Sequence, residues 1–174
     1  MTVVVARARP TDIPELLAFW TVHAQTLTPN FLLPSDPAQW SASLRDSTTW
    51  WYTVREVGSL VAVITLARVT GPPWCSAEMG IGVAGTARGR GIGASSLRTL
   101  FATELSGQLR RIEALVDPLN TASARTVAAA GMRWEGVSRA PVRIGEVRPD
   151  LARWAIVADQ PTEYRRPLTN EDRP

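Results

Sequence analysis

The sequence lacks lysine and has only one cysteine and one histidine, so all 19 basic residues of the 174-residue chain are arginines. A single cysteine, Cys75, excludes an internal disulfide bond. With His23 as the only histidine, no Cys/His cluster can form, and we expect no metal site. The absence of lysine also excludes a nucleotide P-loop, whose motif requires a lysine after its second glycine.

Long apolar runs are missing as well. The longest, such as Leu60 to Ile64, falls far short of the roughly 20 residues that a membrane-spanning helix needs, and Met1 to Pro10 contains no signal-like apolar region. We therefore expect a cytoplasmic protein without membrane contact. A net charge of +3 is too small to indicate a nucleic-acid surface by itself.

The 45% hydrophobic content is sufficient for one core, and no repeat or linker divides the chain. We expect a single domain over residues 1–160 and a polar, proline-rich tail over 161–174. Alternating apolar and β-branched runs predict seven strands: Val3–Arg9, Trp50–Val57, Leu60–Val69, Ala77–Val83, Arg111–Val116, Met132–Arg139 and Leu151–Val157.

Four helices are predicted between these strands. One begins after Thr11 and Asp12, a second opens at Ser35-Asp36-Pro37, a third ends near Gly107, and the last spans Thr121–Ala130. Gly131 is expected to end that last helix in a left-handed conformation. The order of elements predicts an α+β fold, layered α/β/α, with a mixed sheet.

A glycine-rich stretch, ARGRGIGASSL at residues 87–97, follows a predicted strand and opens a helix. It matches the dinucleotide motif G-x-G-x-x-A, with Glu113 about 20 residues further on. Two helices and a hairpin precede it, however, and the about 80 residues that follow are too few for the second half of a doubly wound sheet. The alternative is R-x-x-G-x-G from Arg88 to Gly93, in which backbone N–H groups at a helix N-terminus surround a pyrophosphate.

That second pattern resembles the acyl-CoA pyrophosphate motif of the GNAT superfamily, Q/R-x-x-G-x-G/A. Downstream, DPLNTASARTVAAAGMRWEG at 117–136 resembles the N-x-x-S…GF…EG block of the RimJ/RimL-like branch. Residues 77–83, AEMGIGV, are similar to that branch's A-E-I-G-Y strand, and 150–157 to its closing strand. The resemblance covers nearly the whole chain.

The resemblance implies a GNAT fold, in which two parallel strands splay apart and admit the pantetheine arm of acetyl-CoA or another acyl-CoA. The residues implied for the donor are Val83, Arg88, Gly89, Arg90, Gly91, Ile92, Gly93, Ala94 and Asn120. Asn120 would orient the pantetheine amide, although its residue type also fits a plain helix N-cap. Arg90 also fits a solvated first-turn arginine.

The resemblance further implies an N-acyltransferase, in which the amine attacks the thioester directly in a ternary complex. Ser123 matches the serine that protonates the departing thiolate. The glutamate that serves as base in the RimL-like pattern falls on Val142, and no tyrosine stands in Thr126–Ala130 as general acid. We therefore predict Glu78 as the substitute base, with a paired surface carboxylate as the alternative.

Trp20, His23 and Trp40 are candidates to frame the acceptor site, because the segments that carry them border it in this family. The alternatives are plain packing for the two tryptophans and an ordinary surface position for His23. Strand residue Trp134 is predicted to lie in the core. The acceptor is expected to be an amine, either a small molecule or a protein N-terminus, and the protein a monomer or homodimer. Two alternatives stay open: an aminoacyl-tRNA or other RNA-linked acyl donor, and a non-catalytic acyl-CoA-binding protein.

Overall fold

A computed structural model describes residues 3–24, 33–141, 143 and 146–158. The strands are β1 (Val3–Arg7), β2 (Trp50–Glu56), β3 (Ser59–Ala67), β4 (Ser76–Val83), β5 (Arg111–Val116), β6 (Arg133–Ser138) and β7 (Leu151–Val157). The helices are α1 (Ile13–His23), α2 (Pro37–Ser43), α3 (Ile92–Ser106) and α4 (Thr121–Ala129). Within these described residues, the predicted number and order of strands and α-helices are confirmed. The predicted tail, its boundary at residue 160, and Val142 lie outside the described residues.

The strands form one sheet in the order β1-β2-β3-β4-β5-β7-β6, and β4 with β5 is its parallel pair. That pairing runs only from Ser76 opposite Arg111 to Glu78 opposite Glu113. Beyond it, β5 continues paired to β7 on its other side, while residues 79–83 of β4 have no strand partner toward β5. The predicted splay is therefore present, and it opens immediately after Glu78.

The two faces of the sheet are covered by different helices. Trp40 of α2 packs edge-on against Trp51 of β2, and Arg55 of β2 binds Asp12 at the start of α1, so α1 and α2 lie on one face. Alternation along the strands turns Ile81 to the opposite face, where it lies close to Gly93 of α3. The layers are thus α/β/α, as predicted.

Two glycines with a positive φ lie in the turns that join these elements. Gly58 (φ +83°) closes the β2–β3 hairpin, and Gly131 (φ +101°) follows α4. Among the described residues, no helix combines the length and apolar character needed to cross a membrane.

Candidate active site

The segment between β4 and α3 forms a concave run of backbone amides. Gly89 (φ +70°) and Gly91 (φ +76°) take left-handed conformations, and Gly91 is the N-cap of α3. A glycine cap has no side chain to bind the first amides of the helix, so they remain available to a ligand. Together with the partial positive charge of the helix N-terminus, this arrangement favours an anion such as phosphate.

This amide run lines one side of a cleft of about 690 Å³ between the end of β4, α3 and α4. The lining residues are Ile81, Gly82, Val83, Ala87, Arg88, Gly89, Gly91, Ile92, Gly93, Ala94, Asn120, Ala122, Ser123, Arg125, Thr126 and Ala129. The structure therefore brings nearly all residues predicted for the donor, and Ser123, into one cleft. Thr126, Ala122 and Ala129 of α4 were not among the predicted site residues, because a helix face that lines a cleft has the same small-residue pattern as one that packs.

The charge of the cleft is positive. Its described lining contains two exposed arginines, Arg88 and Arg125, and no carboxylate. Arg90 is different, because its guanidinium turns away to Glu56 of β2 at 2.8 Å and does not line the cleft. The Arg90 side chain therefore takes no part in the cleft.

Asn120 and Ser123 meet at the start of α4. Asn120 is the N-cap, and its Oδ1 accepts a hydrogen bond from the Ser123 backbone N–H at 3.0 Å. The predicted capping role is thus confirmed. It does not conflict with a binding role, because the cap uses the amide oxygen and leaves the Nδ2 donors for a ligand in the cleft.

Glu78 lies elsewhere, on the sheet face covered by α1 and α2. It occupies the last paired position before the splay, and its Oε2 binds the exposed Arg68 at 2.8 Å. The neighbouring Glu113 is held by Arg153 at 2.9 Å and by Arg111 at 3.3 Å. Glu78 is therefore separated from the cleft by the sheet, and only the splay connects the two faces.

Glu135, which follows Trp134 on β6, belongs to the same charged face. Its Oε1 binds Arg111 Nη1 at 2.9 Å. The hydrogen bond from Arg111 lowers the pKa of Glu135, and in turn Glu135 raises the pKa of Arg111. These partners make Glu135 a structural link between β6 and β5.

The three residues predicted for the acceptor take different positions. Trp20 is partly buried against the core, and His23 packs edge-on against Phe19 with ring centroids 4.7 Å apart. Trp40 is completely buried and contacts Trp51, so it presents no surface to an acceptor and the prediction that it lines the acceptor site is wrong. Its side chain fills the space between α2 and the sheet.

Trp134 was wrongly predicted as core, because it lies on the edge strand β6 and is 60% exposed.

One residue of this face was missed. Thr65 is the only polar residue between Leu60 and Ala67 in β3, and this break in an apolar strand is a signal that the sequence did offer. Its register partner is Gly80, two residues beyond Glu78.

Comparisons with known proteins agree with this architecture. The family model described as an acetyltransferase (GNAT) domain matches residues 3–133. No curated protein has a significant match to the sequence.

Among solved structures, the ribosomal-protein-S5-alanine acetyltransferase from Vibrio fischeri is 18% identical, with a TM-score of 0.81 over 91% of this chain and 94% of that chain. RimJ from Mycobacterium smegmatis, in complex with CoA-disulfide, is 24% identical, with a TM-score of 0.75 over 90% and 82%. A variant of the spermidine N-acetyltransferase SpeG from Vibrio cholerae is 14% identical, with a TM-score of 0.75 over 90% and 94%. At these identities the likeness establishes the fold.

Proposed function

This chain belongs to the GNAT acetyltransferase domain family and is an acyl-CoA-dependent N-acetyltransferase, and we propose that the cleft between β4, α3 and α4 binds acetyl-CoA. The observation that carries this proposal is the convergence of the amide run at Gly89–Ala94 with Asn120 and Ser123 in one positively charged cleft. The pyrophosphate would bind the first amides of α3, with Arg88 and Arg125 nearby. Charge-assisted hydrogen bonds of this kind contribute about 1.5–3 kcal/mol each.

The pantetheine arm would then run along β4. Residues 79–83 of this strand have no partner toward β5, so their backbone groups are available to the amides of the arm as they would be to an added strand. The Nδ2 group of Asn120 would bind one of those amides. This path brings the thioester into the opening after Glu78.

The acceptor amine would approach from the opposite face, which α1 and α2 cover. Its nitrogen attacks the thioester carbon, so that an N–C bond forms and the C–S bond breaks. Glu78 takes the proton that the nitrogen loses, directly or through water, and the Ser123 hydroxyl supplies a proton to the departing thiolate. Direct attack requires no acyl-enzyme, and Cys75 stands before β4, at the end of the strand away from the cleft.

The acceptor class is an amine, and the fold leaves its identity open. Solved structures of this fold include a ribosomal-protein-alanine acetyltransferase and a spermidine acetyltransferase, whose acceptors are different. The acceptor would thus be chosen by side chains on the α1–α2 face. We propose a primary amine, either a small molecule or a protein N-terminus.

Two measurements test this function. Acetyl-CoA is titrated calorimetrically into the protein, and release of free CoA thiol is then assayed with a panel that includes spermidine, single amino acids and peptides with a free N-terminus. We expect binding, and thiol release that depends on one class of amine. If acetyl-CoA does not bind, the proposed donor site is wrong. Binding without thiol release from any amine would contradict the proposed transfer.

A further inference from the structure

The Thr65 hydroxyl is a buried polar group without a partner. Its Oγ1 atom makes no hydrogen bond among the described residues, although it has no contact with solvent. Such an orphaned group costs stability, and native proteins keep few of them. A threonine retained here in an otherwise apolar strand therefore requires an explanation other than packing.

The position of Thr65 relates it to the opening of the splay. Thr65 pairs with Gly80 and Ala67 pairs with Glu78, so Thr65 and Glu78 share one face as diagonal neighbours on adjacent antiparallel strands. Side chains in this relation have Cβ atoms about 7 Å apart. That separation fits one small polar atom held between the two side chains by two hydrogen bonds of about 2.9 Å.

No further side chain of β4 stands beside them on this face. Gly80 and Gly82 are the next two residues of β4 that turn to this face, and neither has a side chain. On the neighbouring strand β2, Trp51 is the register partner of Thr65. The ring of Trp51 contacts the buried ring of Trp40 edge-on. A carboxylate, a hydroxyl and an aromatic wall thus meet where the parallel strands separate.

Glu78 has the capacity to take part. Its Oε2 binds Arg68, and its Oε1 accepts no hydrogen bond within the described part of the chain. A neutral primary amine has two N–H groups and one lone pair. One N–H can bind Glu78 Oε1 and the other Thr65 Oγ1, which leaves the lone pair for the thioester carbon.

We propose that Thr65 binds the nitrogen of the acceptor amine and selects primary over secondary amines, an inference that rests on the proposed function. In the reaction the nitrogen forms the N–C bond as the C–S bond breaks, its proton passes to Glu78, and Thr65 holds the second N–H. A secondary amine has only one N–H and leaves either Thr65 or Glu78 without a partner.

The test compares Thr65→Val, which replaces the hydroxyl by a methyl group and keeps the β-branched shape, with Thr65→Ser, which keeps the hydroxyl. Each variant and the wild type are assayed with the best primary amine of the panel and with its N-methyl secondary analogue. For Thr65→Val we expect about a tenfold loss of kcat/KM with the primary amine and a much smaller loss with the analogue. The acetyl-CoA Kd should be unchanged, the Tm equal or higher, and Thr65→Ser should keep most of the activity.

A matched control is Thr53→Val on β2. Thr53 is also buried on this face, but its hydroxyl already has the Ala6 carbonyl as a partner at 3.5 Å. This variant should lower the Tm and leave the amine kinetics unchanged.

The outcomes distinguish the role of Thr65 from the proposed function. A wild type that acetylates no amine overturns the proposed function itself. An active wild type with an equally active Thr65→Val variant, or equal losses for both amines, overturns only the role of Thr65. A weaker acetyl-CoA affinity in Thr65→Val would also overturn it, since the residue would then act on the donor side.

Discussion

Gly93 of α3 and Thr126 of α4 approach so closely that a Cβ on Gly93 would lie 3.0 Å from the Thr126 methyl carbon Cγ2. Both residues line the cleft, so this contact sets how near α4 stands to the first turn of α3. The backbone of Gly93 has no positive φ, which means that the space and not the conformation requires glycine there.

We expect Gly93→Ala to lower the free energy of unfolding by about 1 kcal/mol, because overpacking at about 1–3 kcal/mol outweighs the gain from replacing a helical glycine. Thr126→Ser removes the opposing methyl and keeps a hydroxyl that can donate to the Ala122 carbonyl. In that background Gly93→Ala should be neutral or stabilising, as measured by urea denaturation. The same loss in both backgrounds would contradict the contact.

Two substitutions of Gly91 that differ only in charge test the anion site. Asn and Asp both tolerate the left-handed φ of this position better than other residues, and no atom lies within 4 Å of a Cβ placed there. Gly91→Asp should bind acetyl-CoA at least about tenfold more weakly than Gly91→Asn, because a negative charge at about 4 Å from the pyrophosphate is repelled even in a largely solvated cleft. Equal calorimetric affinities of the two variants for acetyl-CoA would contradict pyrophosphate binding at this site.

Asn120 permits its two roles to be measured separately. Ser caps helices about as well as Asn, so Asn120→Ser should keep the stability of the wild type, whereas Asn120→Ala should lose about 1 kcal/mol. Both variants lack the Nδ2 donors, and both should bind acetyl-CoA about fivefold more weakly, the worth of one hydrogen bond. If affinity falls only in Asn120→Ala, Asn120 is a cap and nothing more.

Glu78→Gln keeps the shape of the side chain and removes its capacity to take a proton. We expect kcat/KM for the amine to fall about 100-fold, the lower end of what a general base contributes, while the acetyl-CoA Kd stays the same. Glu146→Gln, at a carboxylate that is 93% exposed in its pair with Arg143, serves as a control without effect. Full activity of Glu78→Gln would assign the base to another group.

The pairing of Glu135 with Arg111 predicts a dependence of stability on pH. Because the pKa of Glu135 is lowered in the folded state, its contribution is complete above the ordinary glutamate pKa and is lost as the pH falls through the lowered value. The Tm difference between wild type and Glu135→Gln should be constant from pH 8 to pH 5 and should shrink below that. A difference that stays as large at acid pH as it is at pH 8 would show that the contribution is not ionic, and Glu146→Gln should show no such trend.

Much of the cleft lining could be predicted from the sequence, because two short segments of it resemble the family's motifs. Arg88–Gly93 and Asn120–Ser123 lie in two short segments, and each segment begins a helix whose first amides need a glycine turn or an N-cap. Since these requirements act between neighbours in the chain, the residues themselves specify them. Helix periodicity and strand alternation likewise predicted the order of elements.

The acceptor face could not be predicted in the same way. Trp40 and Trp134 are both tryptophans in regular elements, yet one is completely buried and the other is 60% exposed, because one faces the centre of the sheet and the other lies on its edge strand. The order β5-β7-β6, which places β6 at that edge, arises from pairings between segments far apart in the chain.

The sequence by itself determined the order of the elements, the family and the fold class, since helix and strand periodicity and the family's motifs are patterns of neighbouring residues. Only the tertiary structure decided that Glu78 is the last paired residue before the splay, that Arg90 turns to Glu56, and that the unpartnered Thr65 hydroxyl stands beside Glu78. Strand register and the burial of polar atoms are set by contacts across the sheet, and such contacts leave no fixed spacing in the sequence.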